Sequence, residues 1–206
     1  AYHGPEVAAT TNPQVVAALG RLCLGAGAKR VRVMDSPFGG TAREAYRVSG
    51  IEEAVQAAGG EMELMSDIKF RDTAIPAGQS IQEWRVYQDA LEADLLINVP
   101  IAKHHNLARL TLGGKNMMGL IDSRARIHSD LSQRLADLTS LFRPALTGVD
   151  AVRILMDNGP TGGDLADVKQ TGLVIASHDI VAADAYATRL FDLKPSDIGY
   201  IKASAA

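Results

Sequence analysis

The sequence predicts an α/β fold: a mostly parallel sheet with helices on both faces, a Rossmann-like three-layer sandwich. Three observations lead there. Short apolar strands alternate with amphipathic helical segments along the 206 residues. Helix start and stop signals bound most of the helical segments. Hydrophobic content of 47% with 22% charged residues suits a globular domain with enough chain for a real core.

In chain order, "TTNPQVVAALGRLCLGAGAKR" reads as a helix. Asn12 caps its free N–H groups, Pro13 suits its first turn, and Val15, Val16, Leu19 and Leu22 form its apolar stripe. Gly25 and Gly27 end it, so "GAGAKR" is a helix stop and not a dinucleotide fingerprint, which must follow a strand. A strand at 30–34 and the turn "SPFGG" come next. Thr41 and Glu44 are spaced as a capping box for "TAREAYRVS", and "IEEAVQAA" stops at Gly59-Gly60 before the strand "EMELM". Pro76 and Gly78 suggest a turn between two short antiparallel strands within 67–86. The helical "QDALEA" precedes the strand 95–99, and Leu131–Phe142 is an amphipathic helix stopped by Pro144. A strand at 152–156, the turn "NGPTGGD", a strand at 173–176 and a helix over 180–190 capped by Asp179 complete the chain.

No linker or repeat divides the sequence, so it reads as a single α/β domain, 1–206. It opens abruptly at "AYHGPEVAATTNP", which leaves room for an N-terminal segment of the full-length protein. The formal net charge of −3 gives no global attraction to nucleic acid or an anionic membrane surface. Basic residues are scattered without interleaved aromatics, and no apolar run reaches the ~18 residues of a membrane span. No nucleic-acid or membrane partner is expected. The expected compartment is cytoplasmic, with an exported, processed form open as well. Cys23 is the single cysteine, so this chain alone ligates no iron–sulfur cluster.

Ligands of open α/β sheets bind where strands exit at their carboxyl ends. The four apolar strands exit into Asp35 with "SPFGG", into Lys103, His104 and His105, into Asp157 and "NGPTGGD", and into Ser177, His178 and Asp179. All four exits carry ionisable groups, and one shared site along this edge is expected. "LTLGGKN" is not a P-loop: a Walker motif needs Ser or Thr where Asn116 stands and Gly where Arg109 stands. Gly113 and Gly114 still suit close approach of backbone N–H groups to an anion, beside the charge of Lys115. Adjacent His104 and His105 point to opposite sides of an extended segment. His105 and His128 with nearby aspartates are the candidate metal ligands, though no helical ligand spacing supports them. The turn after Asp157 reads first as an Asx-turn, and Asp184 falls just beyond one helical turn from the Asp179 cap. No nucleophile elbow or spaced catalytic triad is present.

"DLLINVPIAKHHNLARLTLGGKNMMGLI" resembles the hallmark segment of the domain of unknown function 362 family. The hallmark's second lysine falls on Lys103, its histidine on His105, its lysine–asparagine pair on Lys115 and Asn116, and its glycine on Gly119. "TTNPQVVAALGRLCLGAGAKRVRVMDSP", "DNGPTGG" and "ASHDIVAADAYATRL" extend the likeness over nearly the whole chain. Two positions depart from it: Ile101 stands for the first motif lysine and His104 for the threonine before the histidine. The resemblance implies an iron–sulfur protein as a candidate partner, since some members carry ferredoxin-type cluster domains. The chain is also distantly similar to the nickel-pincer lactate racemase family through His105, Ala108 and Lys115, with His128 downstream. That likeness implies a lysine tether for a nickel-bearing nucleotide derivative, with histidines as metal ligand and acid/base.

The leading expectation is a ligand-binding domain for an anionic small molecule or nucleotide-like cofactor, with enzymatic chemistry open. Lys103, His105, Lys115 and Asn116 form the polar floor, Gly113 and Gly114 the anion cradle, and Asp35 and His128 lie nearby. Lys115 neutralises or tethers the anion, and His105 transfers protons, its ordinary pKa near 6.5 suiting the role. The alternatives are a metal-dependent redox or racemising enzyme and a non-enzymatic accessory domain of an iron–sulfur protein. The cofactor, metal or nucleotide-like, is not named by the sequence, and neither is the oligomeric state.

Overall fold

The computed structural model describes residues 3–206. Helix α1 (Pro13–Gly25) starts where Asn12 accepts the Gln14 N–H at 3.0 Å and Pro13 occupies the first turn. It ends on Ala26, and Gly27 follows at φ 99°, a left-handed conformation that only glycine adopts without strain. Strand β1 (Arg32–Val33) pairs in parallel with β2 (Glu61–Met62), and α2 (Ala42–Val48) and α3 (Ile51–Ala57) connect them. Thr41 Oγ1 accepts the Glu44 N–H at 3.2 Å, which is the forward half of the expected capping box. The segment read around Pro76 and Gly78 is an antiparallel hairpin, β3 (Phe70–Ala74) against β4 (Glu83–Tyr87). Buried Asp137 holds its loop by accepting N–H groups from Gln79, Ser80 and Ile81. A short helix, α4 (Gln88–Glu92), follows.

The central sheet is built on β8 (Leu146–Leu155), whose central residues are buried, as befits a strand covered on both faces. Along one side of it run β5 (Ile97–Asn98) and β6 (Ile101–His105), both parallel to it. These are two halves of one line broken at Pro100, which has no N–H for the ladder but whose carbonyl accepts the Asp150 N–H at 2.8 Å. Strand β7 (Arg109–Thr111) turns back on β6, and β9 (Val168–Ser177) lies antiparallel on the other side of β8. The fold is α/β, with a parallel-rich centre flanked by helices and antiparallel strands at its margins. Helices α6 (Leu131–Phe142) and α8 (Gly199–Ser204) pack together, while α7 (Ile180–Ala187) packs on β8, β9 and α5 (Gly113–Asn116). One apolar core joins these elements, from Ile75 and Val86 through Leu110, Leu135 and Ile154 to Ile201.

Two expectations need correction. The stretch after residue 100 is not a loop beyond a strand's end: 101–111 is the β6–β7 hairpin, so Lys103 and both histidines are strand residues. The strand over 173–176 belongs to β9, which runs opposite to β8 with Thr147 facing Ser177. Its exit, with His178 and Asp179, therefore lies at the far end of the sheet from Asp157. A strand's apolar pattern records which residues face the core but not the direction in which it runs.

Candidate functional site

Three of the four expected exits do meet. His104 Nδ1 accepts the Gly159 N–H at 3.1 Å, and Lys103 Nζ donates to Pro160 O at 2.9 Å and Ala9 O at 2.6 Å. The turn after β8 is thereby fastened onto β6. From the first sheet, Ser36 N donates to Gly119 O at 3.1 Å, and Arg124 donates to the carbonyls of Ser36 and Pro37, each at 2.6 Å. This brings the Asp35 loop onto the far end of the hallmark segment. The Tyr46 hydroxyl both donates to Asp35 O and accepts the Asp35 N–H, fixing the backbone there.

The side chains that converge are Lys103, His105, Lys115, Arg124 and Asp35. Burial lowers Lys103 to about 8, reinforced by the charge of Lys115 and opposed by Asp35. Burial also lowers Lys115 to about 8, with Arg124 adding repulsion. His105 falls to about 3, first through burial and then through Lys115, Lys103, His128 and His104. Asp35 meets solvent, yet its Oδ1 lies so close to Gly119 that an added Cβ there would come within 1.9 Å. The surrounding protein encloses it at longer range. That enclosure raises its carboxyl, against the pull of Arg124, the Ser36 amide and Lys103. Among the described residues no carboxylate lies within 4 Å of the Lys103, Lys115 or Arg124 side-chain nitrogens.

His105 is 6% exposed, and its Nδ1 accepts the N–H groups of Leu107 at 3.1 Å and Ala108 at 3.3 Å. It caps its own hairpin turn. With the Nδ1 lone pair so engaged, the network assigns the proton of the neutral ring to Nε2. The expected proton shuttle with a pKa near 6.5 is thus replaced by a neutral ring able to donate from Nε2. The sequence held a signal for this: a histidine two and three residues before the amides of a tight "HNLAR" turn.

The diglycine cradle is also corrected. Gly113 N and Gly114 N donate at 2.6 and 2.8 Å to the two carboxylate oxygens of Asp184, which is 2% exposed. The chain supplies its own anion to the amides expected to hold a ligand. Small residues are needed there because a Cβ on Gly113 would meet Asp184 Oδ1 at 2.7 Å, and one on Gly114 would meet the Tyr200 ring at 3.2 Å. Burial pushes Asp184 up to about 7 against the pull of both amides. Asn116 likewise belongs to the scaffold, since its amide donates to Asn98 Oδ1 at 2.9 Å while Asn98 donates to Gly113 O at 3.1 Å.

His128 is exposed, and its Nδ1 lies 3.2 Å from Ala125 O; it reaches the cluster by its field and not by a hydrogen bond. Among the described residues no three His, Cys, Asp or Glu side chains gather closely enough to hold a metal ion. No third ligand among them joins His105 and His128. A nickel-bearing nucleotide of the kind implied by the racemase likeness would have Lys115 as its tether and only Nε2 of His105 as a ligand, since Nδ1 is engaged by its own turn. A separate polar cleft of about 250 Å³ lies at the β3–β4 hairpin, lined by Asp72, Glu83, Trp84, Arg85, Asp122 and Arg126 among others. Arg126 stacks on the Trp84 ring there at 5.0 Å, and no expected site residue reaches it.

Fold and site together define an α/β domain whose hallmark segment carries two partly buried lysines, Lys103 on β6 and Lys115 on α5, without carboxylate partners among the described residues. The chain belongs to the domain of unknown function family DUF362, whose model matches residues 1–189. Within it, the chain is similar to the thylakoid-associated protein sll1697 of Synechocystis sp., at 29% identity over 198 residues. That alignment covers 91% of this chain and 59% of the relative, so the chain spans less than two thirds of that protein's length. No helix among the described residues is long and apolar enough to cross a membrane.

Proposed function

We infer that this domain binds an anionic small molecule between the β6–β7 hairpin and the Asp35 loop. One observation carries the reading: Lys103 and Arg124 act on the Asp35 carboxylate and Lys115 lies beside both cations, with no carboxylate among the described residues at ion-pairing distance from any of the three. Desolvated cations without partners are costly, and an anion that pairs with them recovers that cost. Lys115 is the principal contact because, among the described residues, the Met118 sulfur at 3.6 Å is the one hydrogen-bond partner of its Nζ. Lys103 has spent two of its donors on carbonyls and adds charge and a third N–H. His105 contributes an Nε2–H donor that stays neutral throughout the physiological range. The resulting site selects charge and hydrogen-bond acceptors, and a phosphate, sulfate or carboxylate head group satisfies both.

Thermal unfolding in sulfate or pyrophosphate tests this. At an anion concentration near 100 times Kd, linkage gives about 2.7 kcal/mol, a rise of roughly 5–10 °C for a chain of this size. Lys115→Met keeps the apolar stem beside Met118 and removes the charge, so its anion-dependent rise should largely vanish. Equal rises in wild type and variant would sink the reading.

A further inference from the structure

Three lysines in this chain show how partners decide the state of an amine. Lys69 donates to Glu63 at 3.1 Å and Asp89 at 2.7 Å, and those carboxylates hold it as an ammonium. Lys103 gives two N–H bonds to carbonyl oxygens. Among the described residues Lys115 has only the thioether of Met118 as a partner, at 3.6 Å, a weak acceptor for a group that as an ammonium offers three donors. Its surroundings are cationic as well, with Arg124 and Lys103 nearby. It is nevertheless reachable, because the residue is only half-buried. A lysine desolvated beside other cations is the setting that turns an ammonium into a nucleophilic amine.

We propose that Lys115 forms an imine with a small carbonyl compound bearing an anionic group, which Arg124 and Lys103 hold in place. The inference rests on the anion-binding reading and adds the covalent step. The amine lone pair attacks the carbonyl carbon. The carbonyl oxygen takes a proton from the nitrogen to give a carbinolamine. Loss of one water leaves the C=N bond, and no electrons are exchanged. Lys103 is the weaker nucleophile of the two, because two of its N–H groups are engaged by the carbonyl oxygens of Ala9 and Pro160. With Lys115 near 8, its free-amine fraction at about pH 7.5 is on the order of a hundredfold above that of a lysine with the ordinary value of 10.4.

The experiment incubates the purified protein with glyoxylate and cyanoborohydride, which reduces an imine to a stable secondary amine, and maps the modified peptides by mass spectrometry. Lys115 should be modified at least about tenfold faster than exposed Lys29, Lys169, Lys194 and Lys202. Lys115→Arg, which keeps the charge and is checked for folding by its melting curve, should lose that adduct and no other. Sulfate should slow the reaction at Lys115 alone. Uncharged propanal should keep the part of the preference that the free amine gives and lose the part that anion binding adds, so its preference for Lys115 should be several-fold smaller than that of glyoxylate. Modification of Lys115 no faster than the exposed lysines overturns the proposal, and so does an equal preference with propanal. The two readings fail separately: sulfate stabilisation with an unreactive Lys115 leaves anion binding standing, whereas loss of both removes both.

Discussion

Replacing Asp184 tests how the hallmark loop is held. Its carboxylate satisfies two buried backbone donors, Gly113 N at 2.6 Å and Gly114 N at 2.8 Å. Asp184→Ala leaves both without acceptors at about 1–3 kcal/mol each, so roughly 2–6 kcal/mol of stability is lost. Asp184→Asn keeps one oxygen and turns an amide N–H toward the other donor, so it should cost about half as much. The pH dependence separates this from a simple packing defect. Burial raises Asp184 in the folded chain to about 7 from an ordinary 3.8. A raised folded value means that its stabilisation is complete below about 3.8 and is lost as pH climbs through about 7. Between pH 5 and pH 8 wild type should lose about 2–3 kcal/mol through this group, at 1.36 kcal/mol per pH unit across the part of the window it titrates. Asparagine does not titrate. The penalty of Asp184→Asn, read from urea unfolding midpoints, should therefore shrink by that amount from pH 5 to pH 8. A penalty that is equal at both pH values would refute the account of a buried, titrating cap.

Other outcomes follow from the same geometry. Sulfate affinity measured by calorimetry should fall about tenfold between pH 7 and pH 9 for each of Lys103 and Lys115 that the anion engages, because both lose their protons through about 8; a flat profile would place the anion elsewhere. Gly113→Ala should destabilise the fold by about 1–3 kcal/mol in urea titrations, since its Cβ meets Asp184 at 2.7 Å and Ile180 at 2.9 Å. His104→Ala removes the acceptor of Gly159 N, so hydrogen exchange at that amide should quicken while the fold loses only about 1 kcal/mol.

What the sequence made legible was local. Asn12, Thr41 and Asp179 cap helices as expected, because each acts on an amide two or three residues away. Helix Leu131–Phe142 falls where its apolar period placed it. Strand-exit reasoning set the Asp35 loop beside the hallmark segment, and Ser36 N reaches Gly119 O there at 3.1 Å. Contacts between distant segments were not legible. Nothing in "SRARIHSD" announces that Arg124 clamps the carbonyls of Ser36 and Pro37, 88 and 87 residues away. Asp184 was read as a helix residue of weak interest, because its amide partners lie 71 and 70 residues earlier. The β6–β7 hairpin was hidden by its composition, since Lys-His-His and Arg are poor strand signals that only pairing with β8 overrides.

The Asp184 contact also orders the making of the protein. The hallmark segment leaves the ribosome well before α7, so the Gly113 and Gly114 amides emerge without their acceptor and stay hydrated until the C-terminal third arrives. Fragments cut before residue 184 carry the whole hallmark segment yet lack the acceptor of its Gly113 and Gly114 amides. The start of α5 therefore has its full set of hydrogen bonds only once residue 184 is present. A domain boundary drawn just after the hallmark would sever the part that holds it.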